Sequence, residues 1–390
     1  MEARYFRYLF ENVSDGIIQW GYINDTRMRD KAYYVYLSEN NLQWVHKNKA
    51  TVEALCHLPK KEIDILVLGE FKAFYIMSFI EILKTRRVHT VVLPYIMPRQ
   101  RKVLSDSLPF PEDVKNFILR PYSTLVQMGV RKIHYLYGNG KDITSNPDGL
   151  PEGEFFEEAE TEIIEKVADL EGCRIPLKKA GYIVKCDWLF YFGVYGSGNN
   201  EEIQTEHLKE TGSAPEIQTT VTMFSGPLHD APVYVDSLFT EKIFSKDMPC
   251  LRNTDTEDWV CDMRCMRFQD HTMLKQHTKQ ERKGSCFGVL LLGNVNLKRY
   301  LADVTRRYHS IGKRIRILTI PDGASLDKWN PQILALFSGS DFHYWLAAMN
   351  SRSSGEVLKD IMFSNSHHHL VQVSAEFGSC FSGYLVDKNE

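Results

Sequence analysis

Apolar runs that fit short buried strands alternate along the chain with apolar residues spaced for amphipathic helices. The clearest example is a strand pattern at Ile63–Leu68, a short turn, and a helix pattern whose apolar residues run from Ile76 to Leu83. A second strand pattern follows at Val88–Tyr95. The order strand, helix, strand is typical of a β-α-β unit with parallel strands, so the sequence predicts an α/β protein.

The same two patterns continue into the C-terminal part of the chain. Further strands are predicted at 32–37, 133–137, 182–184, 188–192, 287–294, 315–320, 342–347, 370–376 and 381–386. A helix is predicted over 296–309, because its apolar residues recur on one face. These elements divide into two αβ halves that can stack sheet against sheet with helices outside.

Residues 154–170 have a pattern of their own. Phe155, Ala159, Ile163 and Val167 recur at every fourth position, and the residues around them are strongly acidic. We expect an acidic amphipathic helix here. Its charged face is either simply solvated or a contact for a basic groove of a partner.

Size and composition limit the class of protein. With 390 residues, of which 43% are hydrophobic and 25% charged, the chain is long enough for one large α/β domain or two smaller ones. The net charge of −3 does not favour nucleic acid as a partner. No run approaches the ~20 apolar residues of a membrane-spanning helix, and no secretory signal follows Met1. The cysteines are scattered, so a cytoplasmic location is expected.

The segment Ile63–Phe79 resembles the core strand and turn of the metallo-β-lactamase superfamily. In that family the turn reads His-x-His-x-Asp-His, and the matching positions here are Glu70, Lys72, Phe74 and Tyr75. A catalytic zinc needs three or more His, Cys or carboxylate ligands and an open position for water. Lys72 brings a positive charge to a cation site and Phe74 cannot coordinate. The resemblance therefore implies the fold without its usual chemistry.

Three other segments carry the same resemblance. Phe10–Gly16 is similar in part to the first strand and glycine-rich loop of the family. Phe287–Asn294 is similar to a strand that the family ends with Thr-Gly-Asp, and Asn294 takes the place of the bridging aspartate. Ile315–Ser325 is similar to a strand and loop that carry Pro-His-His-Gly-Ser, and the first histidine position falls on Asp322. Metal ligands are thus replaced in three loops that the fold would bring together.

The resemblance implies an α/β fold that is a four-layer αββα sandwich. It also implies one domain over residues 1–390, with a polar insertion at 196–218 and an irregular Cys/His-containing insertion or subdomain at 219–286. Periodicity by itself predicts only mixed α/β structure. An ordinary β-α-β protein outside the family is the alternative interpretation.

The candidate site is the place where the family would bind its metals. We expect no cofactor and no metal there, and instead a small molecule or a peptide segment of a partner protein. An ion pair between Lys72 and a neighbouring carboxylate would replace the cation electrostatically. The candidate residues are Glu70, Lys72, Tyr75, Asn294 and Asp322.

A second group of potential metal ligands lies between residues 250 and 286. Its spacing, Cys-x3-Cys followed by His-x5-His, is loosely similar to that of a zinc finger. A structural zinc and a set of half-buried thiols with surface histidines both remain open, and no metal is assigned. The residues are Cys250, Cys261, Cys265, His271, His277 and Cys286.

Basic residues on the predicted helix 296–309 form a candidate contact surface. Arg299, Arg306 and Arg307 are expected on the side away from its apolar face. Tyr300 and Tyr308 are expected to be buried, so they would not stack on bases, and nucleic acid is not the expected partner.

The sequence therefore predicts a non-catalytic protein of metallo-β-lactamase fold, a pseudoenzyme that acts as a binding or structural subunit. A protein partner is expected, and contact with a membrane is not. A bacterial multi-protein system such as phage defence would suit such a subunit, although no residue indicates it. The alternative is a metal-dependent hydrolase or nuclease whose relocated ligands come from Asp15, Glu70, Asp322, His343 or the Cys/His segment.

Overall fold

The structure, a computed structural model, describes residues 3–12, 17–25, 30–38, 62–107, 109–137, 153–158, 163–164, 174–175, 177–196, 219–227, 288–337, 343–348, 354–364, 368–373 and 380–388. No helix within these ranges is long and apolar enough to cross a membrane.

Strands account for most of the regular structure in the described ranges. They are β1 (Ala3–Asn12), β2 (Ile17–Asp25), β3 (Asp30–Ser38), β4 (Glu62–Leu68), β5 (Arg87–Pro94), β6 (Lys132–Leu136), β7 (Gly153–Glu158), β8 (Ile163–Ile164), β9 (Arg174–Ile175), β10 (Leu177–Lys185), β11 (Trp188–Tyr195), β12 (Thr220–Pro227), β13 (Gly288–Leu291), β14 (Ile315–Thr319), β15 (His343–Ala348), β16 (His368–Val373) and β17 (Cys380–Lys388).

The α-helices in the described ranges follow β4, β5, β13 and β15. They are α1 (Ala73–Thr85), α2 (Pro98–Ser107), α3 (Glu112–Leu119), α4 (Pro121–Gln127), α5 (Leu297–Tyr308) and α6 (Gly355–Ser364). Short 3₁₀ helices lie at Gly312–Arg314, Pro321–Gly323 and Pro331–Phe337.

The strands form a sheet that folds back on itself into two halves. The N-terminal half has the order β17-β1-β2-β3-β4-β5-β6, and the C-terminal half has the order β10-β11-β12-β13-β14-β15-β16, with β7 also paired to β10. The halves join where β6 and β10 pair in parallel around Leu136 and Lys178. At the other edge β16 contacts β1 and β17. The strands β8 and β9 pair separately.

Central strands of each half, such as β4, β5, β11 and β12, are buried on both faces, which explains their nearly continuous apolar runs. In β4, Leu66 and Leu68 pack against α1 to α4, whereas Ile65 and Val67 face the C-terminal half. Because successive strand residues point to opposite faces, a four-residue apolar run supplies two layers at once. One core cluster therefore lies between the N-terminal half and its helices, and a second lies between the halves.

The C-terminal half repeats this arrangement in β11. Phe190 and Phe192 face the N-terminal half, and Leu189 and Tyr191 belong to a third cluster that includes α5, α6 and the nearby 3₁₀ helices. The layer order is therefore helices, sheet, sheet, helices. The predicted α/β class with a four-layer αββα sandwich is confirmed.

The predicted acidic helix over 154–170 is wrong in the part that the structure describes. Residues Gly153–Glu158 form β7, which pairs antiparallel with β10 and places Phe155 opposite Tyr182. A spacing of four residues is close to one helical turn, but it is also two strand periods. The repeat of Phe155 and Ala159 was therefore compatible with a strand as well as a helix.

The segment predicted as irregular, 219–286, begins with regular structure. Its residues Thr220–Pro227 form β12, which is buried throughout and pairs with β11 and β13. Thr220, Thr222 and Ser225 interrupt the apolar pattern of this strand. Residues 228–286, which include the Cys/His segment, and 197–218 of the polar insertion lie outside the described ranges. The proposed domain and insertion boundaries stay predictions.

Candidate functional site

Glu70 lies where the two halves of the sheet meet. The amide N of Gly69 donates to the carbonyl O of Leu37 in β3 at 2.7 Å, and the carbonyl O of Gly69 accepts from the amide N of Val221 in β12 at 2.7 Å. Glu70 then forms an isolated β-bridge with Thr220. The chain thus leaves one half at the end of β4 and contacts the other. This crossing buries the Glu70 side chain, which is 1% exposed.

Lys72 neutralises this buried carboxylate from the solvent side. It is the N-cap residue of α1, and its Nζ lies 2.9 Å from Oε2 of Glu70. Its side chain is 20% exposed. On the inner side, Oγ1 of Thr220 donates to Oε1 of Glu70 at 3.3 Å. Both carboxylate oxygens therefore have a donor.

Asn294 connects Glu70 to a second ion pair. The side-chain Nδ2 of Asn294 donates to Oε2 of Glu70 at 3.4 Å, and its Oδ1 accepts a short hydrogen bond from Nζ of Lys328. Asn294 lies in the turn that follows β13 and is buried. The two ends of its amide dipole each face a group of opposite charge, which favours this orientation of the side chain.

Asp322 and Lys328 form the second ion pair. Asp322 is buried in the turn after β14, and Nζ of Lys328 lies 3.0 Å from its Oδ2. The Lys328 side chain is 17% exposed. The backbone carbonyl O of Lys328 accepts from the amide N of Leu297 at 2.8 Å. The start of α5 therefore holds the loop that carries Lys328.

Left-handed backbone conformations shape the loops around these residues. Gly293 has φ +57°, and a Cβ there would lie 2.7 Å from Cγ2 of Thr220 and 2.8 Å from the hydroxyl oxygen of Tyr36. Only glycine lets this turn approach β12 so closely. Asp322 and Ala324 adopt φ of +52° and +68° with a side chain present, at a cost of about 1 kcal/mol or more each. Such strained residues are often found at functional sites.

Together these residues form one connected group, which we call the Lys/carboxylate network. Its ionic members are two carboxylates and two ammonium groups, so its formal charges cancel. Burying a carboxylate without a partner is costly, and here each carboxylate contacts an ammonium group. The network consists of Lys72, Glu70, Thr220, Asn294, Lys328 and Asp322.

The donor set does not fit a resident catalytic zinc. Within the described ranges, no group of three or more His, Cys, Asp or Glu side chains is arranged to hold a metal ion. A cation beside Glu70 or Asp322 would also meet the ammonium group of Lys72 or Lys328, and like charges at this range repel strongly.

The structure brings four of the five predicted site residues into the network: Glu70, Lys72, Asn294 and Asp322. The fifth, Tyr75, is buried in the core cluster between the N-terminal half and its helices. Tyr75 lies one turn before Phe79 on α1, and both belong to the face of the helix that packs in this cluster.

Two members of the network were missed by the sequence analysis. Thr220 lies in the segment that was interpreted as irregular, so its position at the start of a strand was not foreseen. Lys328 follows Asp322 by six residues in a segment rich in turns. A buried aspartate requires a counter-charge, and the nearest lysine after it was the one available signal.

The predicted basic surface on α5 is only partly present. Arg299 and Arg306 are exposed; the guanidinium of Arg299 lies 5.2 Å from the ring centroid of Tyr300, and Nη1 of Arg306 lies 3.6 Å from Oδ1 of Asp303. Arg307 is 2% exposed, so the prediction that it lies away from the apolar face is wrong. Arg307 follows Val304 by three residues and lies on the side of α5 that meets the sheet.

Gly193 makes room for the buried Arg307. A Cβ at Gly193 would lie 2.6 Å from Nη1 of Arg307, which donates to the carbonyl O of Phe192 at 3.4 Å. The guanidinium also lies 5.2 Å from the ring centroid of Tyr195. Burial raises the pKa of Tyr195 to about 12, and the charge of Arg307 opposes this shift.

Of the remaining candidate ligands, only the backbone position of His343 is described. His343 is the first residue of β15. Asp15 lies outside the described ranges, and so do Cys250, Cys261, Cys265, His271, His277 and Cys286.

Comparison with known proteins leaves the family open. No protein-family model matches the chain, and no curated protein matches it. Among solved structures, the crystal structure of unliganded yeast PDE1 matches 98% of this chain and 99% of its own, with 8% sequence identity and a TM-score of 0.40. A likeness at this level does not assign the chain to a family.

Proposed function

We propose that this chain is a non-catalytic protein with the metallo-β-lactamase fold, and that it acts as a binding or structural subunit of a multi-protein system. The observation that supports this is the Lys/carboxylate network at the junction of the two sheet halves. Its carboxylates come from the loops that the resemblance assigned to metal ligands, and each of them contacts a lysine instead.

The network is suited to holding loops in place. A catalytic metal site keeps an open coordination position for water or substrate. Here each charged group is in contact with an opposite charge, and the bridging amide is engaged at both ends. For a metal ion to act here, Lys72 and Lys328 would first have to leave Glu70 and Asp322. Two buried carboxylates would then be without their counter-charges.

A basic surface beside the network supports a protein partner of acidic character. Lys298, Arg299 and Arg306 are exposed on α5. The first residue of that helix, Leu297, is hydrogen-bonded to the backbone of Lys328. A partner docked on the first turn of this helix would therefore lie near Lys328, which holds Asp322 and Asn294.

The experiment measures bound metal and hydrolysis in purified full-length protein. Metal content is determined by mass spectrometry, and turnover is measured with a chromogenic β-lactam and a phosphodiester at added Zn²⁺ or Mn²⁺. We expect no metal that depends on Glu70 or Asp322 and no metal-dependent turnover. Zinc held by the Cys/His segment would be the same in wild type, E70Q and D322N.

Asp64→Asn is the control, because Asp64 is a partly buried carboxylate that, like Glu70 and Asp322, is paired with a lysine, Lys185. If stoichiometric metal is lost in E70Q and D322N but kept in D64N, and if turnover is lost with it, the chain is a metal-dependent hydrolase and the proposal is wrong.

A further inference from the structure

We infer that Lys72 and Lys328 act as internal cations that keep a divalent metal ion out of an oxygen-lined site. This inference rests on the proposed function, since it concerns the same Lys/carboxylate network. The two ammonium groups supply the positive charge that a bound metal ion would otherwise supply to Glu70 and Asp322.

The atoms that contact the two ammonium groups are all oxygens, and the side chains around them supply further oxygen atoms. Glu70 and Asp322 supply carboxylates, Asn294 supplies Oδ1, and Thr220 adds Oγ1 next to Oε1 of Glu70. Carboxylate, amide and hydroxyl oxygens are ligands of hard cations such as Mg²⁺, Mn²⁺ and Ca²⁺, whereas zinc prefers nitrogen and sulfur. The class of ion that this set would take is therefore a hard divalent cation.

The charge of the lysines matches that of such an ion. Two carboxylates carry a formal charge of −2, and two ammonium groups supply the same +2 as one divalent cation. Each ammonium also contacts these oxygens directly, at 2.9 Å for Lys72 with Glu70 and 3.0 Å for Lys328 with Asp322. Lys328 bridges two of them, because it also donates to Oδ1 of Asn294.

A second lysine–carboxylate pair shows what an ordinary ion pair looks like in this protein. Nζ of Lys185 contacts Oδ1 of Asp64, and the other oxygen of Asp64 accepts from the amide N of Tyr33 at 2.8 Å. The described contacts at this pair include one carboxylate and an N–H donor. A metal ion in place of Lys185 would therefore lack the second carboxylate and the amide oxygen that the network supplies.

The test removes the ammonium groups and keeps an unbranched side chain of nearly the same length. In K72M/K328M we expect a Mn²⁺ ion to bind roughly tenfold or more tightly than in wild type, because two repulsive charges are gone and two carboxylates have lost their counter-charges. Binding is measured by isothermal titration calorimetry and by the loss of the electron paramagnetic resonance signal of free Mn²⁺. Mg²⁺ and Ca²⁺ should compete.

Three variants identify the source of any gain. K72M/K328M/E70Q/D322N should lose the Mn²⁺ site, because its charged ligands are removed. K72R/K328R keeps the positive charges and should stay at the wild-type level. K185M removes the ammonium group that pairs with Asp64, and its affinity for Mn²⁺ should equal that of wild type.

The outcomes separate this inference from the proposed function. If K72M/K328M has a native near-UV circular dichroism spectrum and no gain in Mn²⁺ binding, the inference is overturned while the proposed function stands. If wild type binds Mn²⁺ through Glu70 and Asp322, the proposed function fails as well. Should the double variant not fold, K72M and K328M are tested singly, and a melting temperature that Mn²⁺ raises in neither of them overturns the inference.

Discussion

Buried tyrosines beside Arg307 connect individual side chains to the pH dependence of stability. Burial raises the pKa of Tyr195 to about 12 and that of Tyr308 well above its ordinary value. The cause is the cost of forming a tyrosinate away from water. Arg307 offsets part of this cost, because its positive charge favours the ionised form.

We expect the free energy of unfolding to fall as pH rises from 10 to about 12. In this window unfolded Tyr195 has lost its proton while folded Tyr195 keeps it, so the unfolded state binds fewer protons. The stability is fully present below the unfolded pKa of 10.0 and is lost as pH approaches the folded value. Urea unfolding at a series of alkaline pH values measures this slope.

Tyr195→Phe should lose stability less steeply than wild type over that pH range, because it removes one of the titrating groups. Tyr122→Phe is the control, since Tyr122 is exposed on α4 and its replacement should leave the slope unchanged. Equal slopes for Tyr195→Phe and wild type would show that Tyr195 does not keep its proton in the folded state.

For single residues, the sequence predicted the buried members of the network better than it predicted the side chains that contact them. Glu70, Asn294 and Asp322 each follow a recognisable apolar strand, and strand ends were foreseeable from the pattern. Lys328 reaches the site because a strained turn returns the chain, and no pattern marks such a turn. Helical spacing was applied wrongly to Arg307: three residues after Val304 and seven after Tyr300, it lies at the edge of the apolar face and is buried.

At the scale of elements, the start of α5 determines how the second ion pair is held. Oδ1 of Asn296 accepts from the amide N of Arg299 at 3.1 Å, and the amide N of Leu297 donates to the backbone O of Lys328. The helix N-terminus is thus tied both to its own cap and to the loop of the network. Its first turn would fray if the cap were lost.

We expect Asn296→Ala to lower the free energy of unfolding by about 1 kcal/mol, the usual cost of removing an N-cap side chain. Asn296→Ser restores an oxygen acceptor and should regain most of that loss. Chemical denaturation of the three proteins measures the difference. If Asn296→Ser is as destabilised as Asn296→Ala, the side chain contributes through packing and its capping bond is unimportant.

The predictability of the elements depended on their burial. Strands buried on both faces, such as β4 and β5, have unbroken apolar runs and were predicted to within two residues. β7 was predicted as a helix because a four-residue repeat fits both periods. β12 was not predicted, since its Thr and Ser residues find hydrogen bonds inside the protein instead of water; Oγ1 of Thr222, for example, is hydrogen-bonded to the hydroxyl oxygen of Tyr308.

At the scale of the whole molecule, the Lys/carboxylate network joins the two halves of the sandwich. Glu70 and Lys72 belong to the N-terminal half, whereas Thr220, Asn294 and Asp322 belong to the C-terminal half. The halves also share a large apolar cluster and the short β6–β10 pairing. The network adds a polar connection at the sheet ends, so its loss should affect the stability of the whole fold.

We expect Lys72→Ala to lower the free energy of unfolding by about 3 kcal/mol, because it leaves the buried carboxylate of Glu70 without its counter-charge. Adding Glu70→Gln should recover part of this loss, since the uncompensated charge is then gone. Lys84→Ala is the matched control: its partner Asp113 is on the surface, and its removal should cost no more than about 1 kcal/mol. A melting temperature for Lys72→Ala equal to that of wild type would show that the ion pair does not stabilise the junction of the two halves.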